Sequence, residues 1–146
     1  MRGIRVLIFL VSLLTGSLCF SQSSLTEIVK NYNRQVPINF GELSLTSVQF
    51  NDSYFSYSYS YENTKEEWNE DAKLGAIYAQ GMQISKSINE LVEFQTIRKS
   101  GKTIVFLYND KRGEPIYGIV YPIKNGKYEI DPVRSMLISG ITVPEK

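Results

Sequence analysis

The densest group of chemically capable side chains lies between residues 62 and 71, where Glu62, Glu66, Glu67, Glu70 and Asp71 fall close together. On a continuous helix Glu66 and Glu70 stand one turn apart on one face, a spacing that suits a hard cation or an acid–base pair of carboxylates. The same acids also suit a helix start, where the partial positive charge of the first turn favours them. The chain contains no histidine. Serine–histidine and cysteine–histidine nucleophile systems, histidine zinc ligands and side chains that titrate near neutrality by default are therefore absent. Any catalysis has to rest on carboxylates, lysine or tyrosine tuned by burial.

Two short motifs are better read as turns. Ser100-Gly101-Lys102-Thr103 resembles the end of a phosphate-binding loop, yet that loop needs a glycine five residues before Gly101, and Thr96 stands there. Asn51-Asp52-Ser53 matches a glycosylation sequon and equally supplies what a tight turn between strands requires. No motif for a cofactor or a metal is found.

The alternation Phe55, Tyr57, Tyr59, Tyr61 suits either a core face or a binding surface, because tyrosine presents flat apolar area with a hydroxyl at its tip. Trp68, one turn into the acidic segment and off the apolar stripe that follows, is the best candidate for an exposed aromatic contact, although packing at the core edge suits it better. Tyr57, Tyr59, Tyr61 and Trp68 form the candidate binding surface.

The elements that must position these residues follow from periodicity. Ser24-Leu25-Thr26-Glu27 has the capping-box pattern, and Leu25, Ile28, Val29 and Tyr32 recur at helical spacing to about Arg34. An extended stretch begins at Leu43. Thr46 to Tyr59 reads as a β-hairpin turning at Asp52-Ser53, with Phe50 opposite Phe55, Val48 opposite Tyr57 and Thr46 opposite Tyr59. The alternate positions Tyr54, Ser56, Ser58 and Ser60 imply a wet second face.

Beyond Asn63 the period becomes helical. Thr64 is the expected cap, and Leu74, Ile77, Gly81, Ile84, Ile88 and Leu91 form one stripe, with a break at Gly81 or at Ser85-Lys86-Ser87. Val92 to Arg98 fits a second helical piece better than a strand. Lys102 to Tyr108 is a strand apolar on both faces, turned by Asn109-Asp110-Lys111-Arg112-Gly113 into a partner strand, Ile116 to Ile123. Asn125-Gly126 has type I′ turn chemistry and returns Tyr128 and Ile130 against Ile123 and Tyr121 in a three-stranded meander. Asp131-Pro132 suits the cap of a last short helix, and the isolated apolar residues up to Val143 equally suit a strand or a loose tail. The expected fold is α+β: an antiparallel sheet of about five strands, packed by an N-terminal helix and a long central helix, in the order α-β-β-α(-α)-β-β-β.

The chain begins with export features. Arg2 and Arg5 precede an apolar run from Val6 to Leu14, too short for the ~20 residues of a membrane span. Cys19 and Ser21 occupy the −3 and −1 positions of a cut before Gln22, so residues 1–21 read as a signal peptide and 22–146 as a single domain. Leu18 before Cys19 disfavours lipidation. The cut removes the only cysteine and two of the 16 Lys+Arg, leaving 14 against 15 Asp+Glu and a formal charge of −1 on 125 residues. Neither nucleic acid nor an anionic membrane suits that balance, and no integral insertion is expected after cleavage.

In chain order, Val36-Pro37-Ile38, Leu45-Thr46-Ser47-Val48, the Tyr57 to Tyr61 strand and Phe106 to Gly113 resemble the pattern of a broad group of small exported α+β proteins of Gram-negative bacteria. The resemblance implies fold and export, to periplasm or medium, and carries over no functional residue. The reading it joins is a non-enzymatic exported protein that binds another protein or an envelope component. A carboxylate-dependent hydrolase or cation site on Glu66 and Glu70, and a small-ligand binder with a pocket between helices and sheet, are the alternatives.

Overall fold

The structure is a computed structural model that describes residues 24–145, so the expected signal peptide lies outside the described residues. Helix α1 (Ser24–Asn33) is followed by β1 (Ile38–Phe40), β2 (Leu43–Phe50) and β3 (Tyr54–Tyr61). A 3₁₀ turn (Lys65–Glu67), α2 (Glu70–Ser85) and α3 (Val92–Lys99) then cross to β4 (Thr103–Asn109) and β5 (Pro115–Tyr121). The hairpin of β6 (Ile123–Lys124) and β7 (Lys127–Tyr128) and helix α4 (Pro132–Ile138) complete the described chain. The main sheet has the order β1-β2-β3-β4-β5, with β3 and β4 parallel and the other pairs antiparallel. The helical crossover between β3 and β4 is what permits the parallel pair.

The expected α+β fold and element order are observed, with four refinements. The hairpin pairs Phe50 with Phe55 and Val48 with Tyr57 as expected, but Leu45 rather than Thr46 faces Tyr59. A bulge between Leu45 and Ser47 displaces Thr46, whose hydroxyl donates to the Ser58 carbonyl at 3.0 Å. The bulge keeps the more apolar residue in the core. An unexpected strand, β1, pairs with β2 across Gly41, whose φ of 69° lies in the left-handed region.

The central helix is also divided near its start. Thr64 heads only the 3₁₀ turn, and α2 begins anew with Asn69, whose side chain accepts the Ala72 amide at 2.8 Å. Its C-terminal break comes at Ser85, while Gly81 continues the helix. Finally, the Asn125-Gly126 turn forms as expected, φ 53° and 75°, and pairs Ile123 with Tyr128, but β6 and β7 make a separate small sheet. Ile130 leaves the strand to pack on α2, where a Cβ on Gly81 would lie 2.7 Å from its Cδ1.

The inner face of the sheet carries Leu43, Leu45, Val48, Phe55, Tyr57, Tyr59, Ile104, Phe106, Tyr108, Tyr117, Ile119 and Tyr121, each essentially inaccessible. It is covered by Ile28 and Tyr32 of α1, Ala76, Ile77 and Ile84 of α2, and Phe94 and Ile97 of α3. The outer face is open at Tyr54 and partly open at Ser56 and Ser60 of β3 and at Thr103 and Leu107 of β4, while Ser58 between them is buried. On β5 it lies under α4, which explains why β4 and β5 are apolar on both faces: Asp131 caps α4 by accepting the Arg134 amide, and Pro132 follows at its first position. The Ser135 and Ser139 hydroxyls accept the Val120 and Gly118 amides, both at 2.9 Å, so the exposed edge of β5 is satisfied by side chains. Asn33 serves the same purpose where β1 stops short, its amide bonding both the carbonyl and the amide of Val48.

Candidate functional site

The aromatic residues expected to form a binding surface divide into two pairs. Tyr57 and Tyr59 are fully buried, because inward-facing positions of β3 lie under α1 and α3. Tyr61, at the strand end, is half-buried and packs in a tilted pair, 4.9 Å between centroids, against Trp68, which also meets Tyr117 at 5.6 Å. Trp68 is thus a cleft-wall residue, with its indole Nε1 donating to Asn63 Oδ1 at 3.1 Å.

The acidic segment does not form a carboxylate pair on one helix face. Glu66 belongs to the 3₁₀ turn and Glu70 opens α2, with extended backbone at Trp68 and Asn69 between them. The Glu66 carboxylate accepts from Arg112 at 2.6 and 2.8 Å, which lowers its pKa, and Glu70 accepts from the Thr142 hydroxyl at 3.3 Å. Glu67 turns back to accept the Thr64 amide at 2.6 Å. Among the described residues, no group of three or more acidic, cysteine or histidine side chains is placed to hold a metal ion.

The anchor of this region is Asp110, fully inaccessible in the β4–β5 turn. Its carboxylate accepts the backbone amides of Lys65, Arg112 and Glu114 at 2.8–3.0 Å and the Arg112 guanidinium at 3.0 and 3.1 Å. Burial alone would raise its pKa; the amides and guanidinium more than reverse this and hold it well below the usual carboxylate range. Asp110 therefore ties the 3₁₀ turn to the sheet and so positions Trp68. Between these elements opens a cleft of about 450 Å³ lined by Glu42, Tyr61, Glu62, Asn63, Glu67, Trp68 and Lys111. Glu42 and Lys111 reach it from turns that no local pattern relates to Trp68.

Behind Tyr61 runs a buried polar seam. Gln80 of α2 donates to the Tyr61 and Tyr117 hydroxyls at 3.0 and 2.6 Å, and those hydroxyls meet each other at 2.6 Å. Further along the core, the Tyr32 and Tyr57 hydroxyls donate to Glu93 at 2.8 and 2.6 Å. Glu93 is a carboxyl with no exposure, and burial raises its pKa to about 7 against the lowering effect of the two tyrosines. Its position was readable in principle, since it stands four residues before Ile97 and shares that residue's face of α3.

A second concavity, of about 560 Å³, lies between α2 and α4 and is nearly all apolar. Leu74, Tyr78 and Met82 recur every fourth residue along α2 and are 42%, 70% and 50% exposed; Ile130, Pro132 and Met136 form the other wall, and Lys86 stands at one end. The stripe expected to bury Leu74 thus rotates outward at its first member, leaving an apolar row on the solvent side. Among the described residues no helix is long and apolar enough to cross a membrane.

No family model and no curated protein matches this chain. Solved structures do. A Pseudomonas aeruginosa protein described as secreted superposes with a TM-score of 0.55 at 9% identity, over 78% of this chain and 90% of that one. A pilotin of the Vibrio vulnificus type 2 secretion system superposes at 0.47 and 12% identity, over 77% and 87%. The Vibrio cholerae type II pilotin does so at 0.36 and 14%, over 77% and 88%. The first of these likenesses shows the fold alone, and it agrees with the expected α+β class.

Proposed function

We propose that this is a non-enzymatic exported protein that binds another protein of the cell envelope, receiving an apolar segment of that partner in the groove between α2 and α4. The observation that carries this reading is the exposed row Leu74, Tyr78 and Met82 facing Ile130, Pro132 and Met136. Large apolar side chains grouped on a surface cost free energy unless something covers them, and scattered exposure would not line a concavity. A row at four-residue spacing beside a groove is the counterpart of an amphipathic helix, whose own apolar side chains recur at that spacing. Lys86 at one end suits an acidic side chain or the carbonyl end of such a helix.

The test is photo-crosslinking from positions 78 and 82 in the native envelope. One common partner should be captured from both positions and lost on Leu74→Glu; absence of any partner, or capture undiminished by that substitution, refutes the reading. The groove volume also admits a small apolar ligand, which a thermal-shift screen would detect as a raised Tm.

A further inference from the structure

We propose that the cleft walled by Tyr61 and Trp68 is a recognition site for an organic cation, an ammonium or guanidinium group, separate from the apolar groove. The register of β2 and β3 ends with Leu43 opposite Tyr61. One residue further, Glu42 comes opposite Glu62, and the Glu62 amide donates to the Glu42 carbonyl at 3.2 Å. Like charges facing each other across neighbouring strands repel. Among the described residues, no side-chain hydrogen bond or ion pair engages either carboxylate: Lys111 lines the same cavity without pairing with them, and the other cations of the adjacent turns are held elsewhere. Arg112 is bound to Asp110, Glu66 and Glu114, and Lys65 to Glu114. Folding therefore leaves two unpaired carboxylates in the lining of a cavity of about 450 Å³, with Lys111 the one cation beside them.

The wall of that cavity defines the ligand further. The Tyr61 and Trp68 rings are 4.9 Å apart, and the bond from Trp68 to Asn63 holds the indole in place. An indole attracts cations through the negative face of its π system, and the attraction adds to that of nearby carboxylates. An anion is disfavoured, since Glu42, Glu62 and Glu67 outnumber Lys111. A small metal ion would leave the rings unused, and a neutral sugar would not relieve the repulsion between Glu42 and Glu62. An alkylammonium or guanidinium on a hydrocarbon stem uses both halves of the site.

The chain contains a single tryptophan, so its fluorescence reports this cleft directly. The full protein is titrated with choline, with arginine methyl ester and with a hexalysine peptide, and with glucose as a neutral control. A saturable change is expected with the cations and not with glucose. It should weaken severalfold between about 50 mM and about 500 mM salt, because the charges are partly exposed. Replacing both carboxylates, Glu42→Gln with Glu62→Gln, should weaken binding about tenfold, the sum of two partly exposed charge contacts. The same double variant should resist urea at least as well as the parent, since it removes a repulsion; that readout is independent of binding. Tighter binding of the peptide than of both small cations identifies a basic segment of a protein as the source, and the reverse identifies a free amine. The proposal is overturned by absence of a saturable response to all three cations, by an equal response to glucose, by unchanged affinity in the double variant, or by a marked loss of its stability.

Discussion

Glu93 makes the stability of this protein depend on pH in a window where nothing else in the sequence predicts it. Its carboxyl is inaccessible, held by Tyr32 and Tyr57, and titrates at about 7 in place of the ordinary 4.5. Below about pH 4.5 the carboxyl is protonated in both the folded and the unfolded chain, and no penalty arises. Between 4.5 and 7 the unfolded chain releases the proton while the folded chain keeps it, so stability falls as pH rises. Above 7 both states are ionised and the loss is complete, amounting to about 3 kcal/mol for this difference in pKa. Most of it, about 2 kcal/mol, falls between pH 5 and pH 8. The chain has no histidine, so no other side chain has an ordinary pKa inside that window.

Glu93→Gln keeps the shape and an acceptor oxygen for the tyrosines while removing the ionisation. Urea unfolding at several pH values measures the effect. The difference in stability between parent and Glu93→Gln should change by about 2 kcal/mol from pH 5 to pH 8, a relative movement of the midpoint by roughly 1 M urea. Parallel profiles for the two proteins, or a parent that gains stability over this interval relative to the variant, would show that Glu93 does not hold its proton in the folded state.

Tyr57→Phe deletes the shortest bond to Glu93, at 2.6 Å, and that bond favours the ionised form. Its titration, followed by carboxyl NMR, should move above 7, with about 1–3 kcal/mol lost at pH 8 in urea unfolding. Ser135→Ala leaves the Val120 amide without its acceptor under α4 and should cost about 1–2 kcal/mol by the same assay. Asn125→Val places a β-branched residue at φ 53° and should lower stability by about 1 kcal/mol, with amide-exchange protection lost first in β6 and β7.

Much of the architecture was legible because it is local. Helix α1 shows its face through Ile28 and Tyr32, the Val48–Tyr57 and Phe50–Phe55 pairs follow from a two-residue turn, and Asn125-Gly126 demands positive φ. The third pair was misplaced because a bulge depends on which of Leu45 and Thr46 the core can accommodate, a question of burial and not of spacing. The single long helix was divided because Asn69 caps α2 more effectively than the chain can continue from Thr64 while Asp110 holds the Lys65 amide from across the fold.

By itself the amino-acid sequence determined most of the alternation of helix and strand, several turn positions and the lack of histidine chemistry, because each depends on side-chain type or on neighbours within a few residues. Only the tertiary structure decided that Tyr57 and Tyr59 are core while Tyr61 and Trp68 wall a cleft, and that Glu66 answers to Arg112 and not to Glu70. It likewise brought Glu93 beneath Tyr32 and set Glu42 beside Glu62. The physical reason is common to all of these: exposure, dielectric surroundings and charge pairing are properties of the space between elements, and that space exists only once α1, α3 and the β4–β5 turn have closed on the sheet.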